Sequence, residues 1–225
     1  MKIGFVVAMS KEMQVFLARL DGEPKCTQSG GFTVYEYQIA DNTLYMVDSG
    51  VGEISAGNAT FMLHALYGVE MVINFGVCGS LNPSLDIADV VYGGSVYHFD
   101  RDTSKLDGVE VGYYTEFGER FLSVDNKLLQ KALSVYNAPV VRIASSEKFV
   151  ADKISKEILR EAGADVCEME SAGVLVTAKR LGLPCLLIKA VSDKADDEAT
   201  MSFSKMLTIS MQKCSDVIYK LLKSL

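Results

Sequence analysis

Three acidic side chains stand close behind apolar runs: Glu12 after KIGFVVAMSK, Glu170 inside VCEMESAG, and Asp193 after LLIKAVS. Two of the runs read as strands buried on both faces, and ligands of open α/β sheets bind beyond the carboxyl ends of strands. Carboxylates from three distant stretches can therefore meet in one pocket. Placed in different surroundings, such groups divide into base, hydroxyl acceptor and acid. Asp193 follows a buried strand, so desolvation should raise its pKa and suit it to donate a proton. Glu170 sits at a helix start, where the positive dipole end favours an ionised carboxylate able to hold sugar hydroxyls. Its neighbour Glu168 is either the anchor or a structural charge. The set points to hydrolysis of a neutral, hydroxyl-rich small molecule. For any one acid alone, a helix cap or a loop charge is the competing reading.

The elements that must position these groups follow from pattern. Residues 2–9 form a continuous apolar run, hence a strand, and Ser10 is a candidate N-cap for a short helix carrying Val15, Phe16 and Leu20. Residues 32–40 and 43–50 alternate and read as a hairpin turning at Asp41-Asn42. A helix is expected over 54–67, and strands over 70–77 and 89–97, the latter with a bulge at its glycine pair. Residues 99–120, polar and rich in Asp, Gly and Tyr, read as a long loop. Helices near 125–136 and from Lys153, a strand over 139–146, and a helix closing at Gly182 follow. The strand PCLLIKAVS and a terminal helix with Met206, Leu207, Met211, Cys214, Ile218 and Leu221 on one face complete the chain. Two glycine-rich turns, Ser49-Gly50-Val51-Gly52 and Gly76-Val77-Cys78-Gly79, follow strands. They fit ligand contacts or ordinary tight turns, and neither is a dinucleotide or phosphate-loop motif.

Bulk composition narrows the classes. The 225 residues are 49% hydrophobic and 23% charged with only four prolines, which fits one α/β domain spanning 1–225 and argues against disorder. A formal charge of −7 without a basic cluster argues against a nucleic-acid partner. No apolar stretch approaches the roughly 20 residues that span a bilayer, and the N-terminus lacks a secretion-signal pattern, so no membrane partner and a cytoplasmic location are expected. Five scattered cysteines and two distant histidines show no paired spacing; reduced thiols and no metal are expected.

Together, AMSKEM (8–13), SGVG (49–52), NFGVCGSL (74–81), CEMESAG (167–173) and SDKADDEATMSF (192–203) resemble the 5′-methylthioadenosine/S-adenosylhomocysteine nucleosidases, within the purine nucleoside and uridine phosphorylase superfamily. The likeness covers essentially the whole chain. It implies a three-layer α/β/α fold around a mixed, partly barrel-like sheet, no cofactor, and a homodimer whose 97–118 loop lies near the partner's site. It implies Glu12 as the base on the attacking water and Asp193, steadied by Ser192, as the acid at N7 of the purine. Glu170 would take the ribose hydroxyls over Met169, and Phe149 and the Val150 backbone the base. Met9, Val51 and Phe203 would line the 5′ room, with Val77, Cys78, Gly79, Glu168 and Lys189 completing the pocket.

Phosphorylases of the superfamily carry an arginine where this chain has Asn74, so water is the expected nucleophile. The chain departs from the family at Val77 (usually serine), Lys189 (usually arginine) and Ser145-Ser146-Glu147-Lys148-Phe149 (usually Ser-Gly-Asp-x-Phe). Its LDGVEVGYYTEFGE segment also replaces the glycine-proline loop that shapes the 5′ end of the pocket. The competing readings are a phosphate-dependent phosphorylase and a catalytically silent nucleoside-binding protein on the same fold.

Overall fold

The N-terminal apolar run becomes a strand, β1 (Lys2–Val7), because both its faces are covered. Ile3, Phe5 and Val7 enter one buried cluster and Val6 the opposite one. The computed structural model describes residues 1–225. After β1 come α1 (Ser10–Leu17), β2 (Lys25–Ser29), β3 (Phe32–Ile39), β4 (Asn42–Asp48), α2 (Glu53–Tyr67) and β5 (Met71–Ser80). Then follow β6 (Val90–His98), α3 (Ser104–Asp107), β7 (Phe121–Ser123), α4 (Asn126–Val135), β8 (Val140–Ser145) and α5 (Lys153–Glu161). The chain closes with β9 (Val166–Glu168), α6 (Ser171–Leu181), β10 (Cys185–Asp193) and α7 (Ala199–Leu222).

Five strands close on themselves. β10 pairs parallel with β5 and antiparallel with β6, β8 joins β6 to β9 in parallel, and β9 returns antiparallel to β5. The long β5 also takes β1 along its first half, Ile3–Val6 facing Met71–Asn74, and β4, β3 and β2 extend the sheet outward. The sheet is thus mixed and partly barrel-like. Helices α1, α4 and α7 cover one side around Phe5, Phe16, Phe75, Ile188 and Met211; α2 and α6 cover the other around Val47, Leu63, Val72 and Leu175. This is the expected three-layer α/β/α arrangement. Phe5, Phe16 and Phe75 meet with ring centroids 5.3–5.8 Å apart, welding α1 to the strands that frame the site. Truncating such a buried ring costs about 3–5 kcal/mol. No helix is long and apolar enough to cross a membrane.

Several local expectations change. The helix cap is Met9; Ser10 is already helical and its hydroxyl bonds the Asp48 carboxylate. The hairpin turns at Ala40-Asp41, with Ala40 at φ 48°, and Asn42 already pairs with Ile39. Gly76-Val77-Cys78-Gly79 is no turn: β5 runs through it because β10 pairs along its whole length and β9 holds its end. The 99–120 segment contains the short α3 and a Tyr114–Glu119 bridge. The bulge at the glycine pair is present, as a register shift between Gly93 and Ser95.

Helices α2 and α6 touch backbone to backbone. A Cβ on Gly173 would lie 2.0 Å from the Glu53 carbonyl oxygen, and one on Gly57 3.3 Å from the Gly173 oxygen. Gly173→Ala is therefore expected to cost about 3 kcal/mol, the upper end for overpacking, because a backbone must move instead of a flexible side chain. Urea unfolding measures it, and a loss near that of a surface alanine would show that the helices can part freely.

Candidate active site

Glu12 and Asp193 reach one place because the parallel strands β1, β5 and β10 end at the same rim, and β9, antiparallel to the end of β5, brings Glu170 to it. Glu12 lies in the first turn of α1, where its Oε2 accepts from the Met9 N–H at 3.2 Å, a reach back to the cap typical of helix starts. Its Oε1 accepts from the Val77 N–H at 2.9 Å, which pins the side chain across to β5. That approach needs glycine at 76: a Cβ there would stand 2.8 Å from Glu12 Oε1. Asp193 ends β10 and its oxygens accept from Ser192 Oγ and the Ala195 N–H, both at 2.8 Å. Glu170 caps α6, and its Oε1 accepts from the N–H of Gly52 at 3.2 Å. Gly52 holds φ 106°, a conformation that favours glycine.

These groups line one cavity of about 550 Å³. Met9, Glu12, Val51, Val77, Cys78, Gly79, Phe149, Val150, Glu168, Met169, Glu170, Ser192, Asp193 and Phe203 all face it. Lys189 does not line the cavity. It is buried beneath, with Nζ 2.7 Å from Glu168 Oε2 and 3.9 Å from Glu170 Oε2. The reading of Lys189 as a pocket residue is corrected accordingly: its charge is spent on Glu168, 21 residues back along the chain. Ala8, Lys148, Cys167, Thr200 and Ser204 also line the cavity and were missed. Helical spacing from Phe203 would have found Thr200; the others, Ser204 included, are immediate neighbours of motif residues. No residue of the 97–118 loop lines the cavity within one chain.

Burial sets the electrostatics. Desolvation pushes the Glu12 carboxyl up to about 7, against the pull of the Val77 N–H and the Lys189 charge. Glu170 is pushed up to about 8 by burial and by the neighbouring Glu168 charge. This overturns the expectation that the helix dipole keeps Glu170 ionised. A helix terminus is worth about 0.3–1 kcal/mol, whereas full burial can shift a carboxyl by 3–5 pKa units, each about 1.4 kcal/mol. Glu168 is equally buried, but the Lys189 ammonium and the N–H groups of Glu170 and Ser171 hold it below the usual carboxylate range. Burial also raises Asp193, as expected, although Ala195 and Ser192 oppose it. Burial pushes the Cys78 thiol and the Cys167 thiol up too, leaving both neutral; of the five free cysteines only Cys26 is exposed.

Asn74 carries no charge for an anion. It is fully buried, donating to the Val6 carbonyl at 3.0 Å and accepting from Ser171 Oγ at 3.3 Å. The arrangement holds two high-pKa carboxyls, an acid beside a hydroxyl, and apolar walls. It can activate water and protonate a leaving group.

The phosphorylase superfamily model matches residues 2–223. A 5′-methylthioadenosine/S-adenosylhomocysteine nucleosidase of Glaesserella parasuis is 30% identical over 100% of this chain and 99% of its own length. The chain belongs to that nucleosidase family of the phosphorylase superfamily. An aminodeoxyfutalosine nucleosidase of Campylobacter jejuni is 28% identical, with both chains covered completely. The futalosine hydrolase of Helicobacter pylori superposes with a TM-score of 0.95 at 28% identity, over 100% of this chain and 98% of its own. The protein is thus an N-glycosyl hydrolase acting on a nucleoside.

Proposed function

We propose that this nucleosidase hydrolyses the N-glycosidic bond of an adenine nucleoside with a 5′-thioether substituent, 5′-methylthioadenosine or S-adenosylhomocysteine. The observation that carries the reading is the shared cavity of Glu12, Glu170 and Asp193, each carboxyl raised by burial. Glu12 takes a proton from water as the water oxygen bonds to C1′. The C1′–N9 bond breaks, its electron pair moves into the purine, and Asp193 delivers a proton to N7. Positive charge building on the sugar is favoured by the surrounding carboxylates. Met169 supports the ribose, Phe149 and Val150 hold the base, and Met9, Val51 and Phe203 receive the 5′ group. Glu12 and Asp193 then exchange protons with solvent. A homodimer belongs to the same proposal, supported by the exposed Ile54 and Phe61 on α2; sedimentation measures it.

Product analysis tests the reaction. The purified protein is given 5′-methylthioadenosine, S-adenosylhomocysteine, aminodeoxyfutalosine, adenosine and inosine, with and without phosphate. Adenine and a free ribose derivative without phosphate support hydrolysis. A strict phosphate requirement, giving a ribose 1-phosphate, would sink it, and so would nucleoside binding with no turnover. Aminodeoxyfutalosine is the second reading, favoured by the likeness to the Campylobacter and Helicobacter proteins; a clear preference for it replaces the thioether substrates.

The acid limb of the pH profile follows from Glu12. A base must be deprotonated, so kcat/KM is expected to fall as pH drops through about 7, the raised value of its carboxyl. A limb with its midpoint near the ordinary carboxylate range would remove Glu12 from the role.

A further inference from the structure

The loop that follows Asp193 carries an unusual backbone. Ala195 is fully buried and holds φ 49°, in the left-handed region that favours glycine, so its surroundings must impose the shape. Its N–H donates to Asp193 Oδ1 at 2.8 Å. The carbonyl of the same peptide group belongs to Lys194, and it accepts from Lys156 Nζ at 2.6 Å. One peptide is thus held at both ends, by an ammonium on its oxygen and by the acid on its N–H.

Lys156 projects from α5 outside the substrate cavity, into a recess of about 190 Å³ that Arg160 and Lys194 also line. Its basic neighbours on the helix are paired, Lys153 with Asp197 at 3.0 Å and Arg160 with Glu157. Lys156 pairs with no carboxylate and directs its charge at the Lys194 carbonyl. One turn on, Leu159 packs in the same buried cluster as Val150 and Ala195. Helix α5 therefore underlies both the 149–150 wall of the cavity and the loop behind the acid.

We propose that Lys156 is a positioning residue of the hydrolysis: it grips the 194–195 peptide by its oxygen and so presents the N–H to Asp193. This role rests on Asp193 being the acid at N7, as proposed above. When Asp193 gives its proton to N7, the electron pair of its O–H bond stays behind as a carboxylate charge. The oriented N–H meets that charge as it forms, without reorganisation. An ammonium on the carbonyl polarises the peptide and strengthens its N–H as a donor.

The other groups about Asp193 do not replace it. Burial raises the carboxyl, the Ala195 N–H and the Ser192 hydroxyl oppose this, and Asp196 on the same loop adds to it. Cys78 of β5 and Cys167 of β9 stand nearby as neutral thiols. The Lys194 ammonium turns away to the Leu85 carbonyl and Asp86. Lys156 brings positive charge that favours the ionised acid. Nothing in the sequence marks it, 38 residues before Lys194 on a helix that lines none of the substrate cavity.

Lys156→Met, which keeps the stem and removes the ammonium, tests this beside Lys156→Arg and Asp193→Asn. Kinetics with 5′-methylthioadenosine, or with aminodeoxyfutalosine if that is preferred, read kcat and KM. Infrared difference titration follows the carbonyl stretch of protonated Asp193, assigned by its loss in Asp193→Asn. Lys156→Met should lower kcat about 10-fold with KM unchanged, less than the roughly 10²-fold that a misplacement of about 1 Å can cost. Its Asp193 band should persist to higher pH than in wild type, because a positive charge has been withdrawn. Lys156→Arg should restore both. Lys156→Gln, a neutral donor, should show the same shift and replaces the methionine variant if urea unfolding finds that variant unfolded. Unchanged kcat, an unmoved band, a rise in KM at constant kcat, or no rescue by arginine overturns the proposal and leaves Asp193 as the acid. Unchanged turnover in Asp193→Asn removes the acid itself, and the role of Lys156 with it.

Discussion

Asp193→Asn is expected to lower kcat by about 10²–10⁴-fold while leaving nucleoside binding measurable, the range for removing a general acid. An adenine that departs without a proton carries negative charge into a cavity already holding Glu12, Glu168 and Glu170, so the loss should fall in the chemical step. The amide should fit without disturbing the fold. Its oxygen can keep the 2.8 Å bond from the Ala195 N–H. Its NH₂ can donate to Ser192 Oγ, whose own proton turns to the Cys78 carbonyl 3.4 Å away. Single-turnover kinetics with 5′-methylthioadenosine, beside equilibrium binding of the same ligand, separates the two effects. Unchanged turnover would take Asp193 out of the acid role. Lost binding with a normal unfolding curve would make it a binding residue instead.

The strand ends were legible, because an apolar run followed by an acid is a local signal and local signals survive folding. So were the pocket walls at 149–150 and 167–170, which lie in contiguous motifs. Protonation was not legible. Whether Glu170 keeps its charge depends on how deeply α6 packs and on Glu168 and Lys189, contacts that no window of sequence contains. The placing of Lys189 failed for the same reason: β9, which carries its partner Glu168, is three residues long and merges with the approach to α6. β2 was missed because KCTQS has only one apolar residue and is made a strand by pairing with β3. The apparent glycine turn at 76–79 failed differently. Glycine there serves close approach, Gly76 to Glu12 and Gly79 to Asp193, and the backbone stays extended.

Lys189→Met should be the most destabilising charge deletion in the chain, costing about 3–5 kcal/mol at pH near 8, the range for breaking a buried ion pair from one side. The methionine fills much of the lysine's volume, so the loss is electrostatic in origin. Without the ammonium, Glu168 is a buried carboxylate facing Glu170 and, further off, Glu12. The pH dependence separates charge from packing. Glu12 and Glu170 have folded pKa values near 7 and 8, above their unfolded 4.5, so the folded state binds more protons between those values. Stability should therefore fall as pH rises through that window. Glu168, held low by Lys189, acts the opposite way: its contribution is present above the unfolded value and lost as pH drops through the lower folded one. Removing Lys189 converts Glu168 into a third raised carboxyl. The variant should then approach wild-type stability near pH 5.5, where the carboxyls are protonated, and diverge from it steeply towards pH 8. Lys189→Arg, which keeps the charge, should remain within about 1.5 kcal/mol at both, the tolerance for near-isosteric buried changes. Urea unfolding of the three proteins at the two pH values decides the matter. An equal loss for Lys189→Met at both would assign the effect to packing and leave the ionisation of Glu168 to its backbone N–H bonds alone.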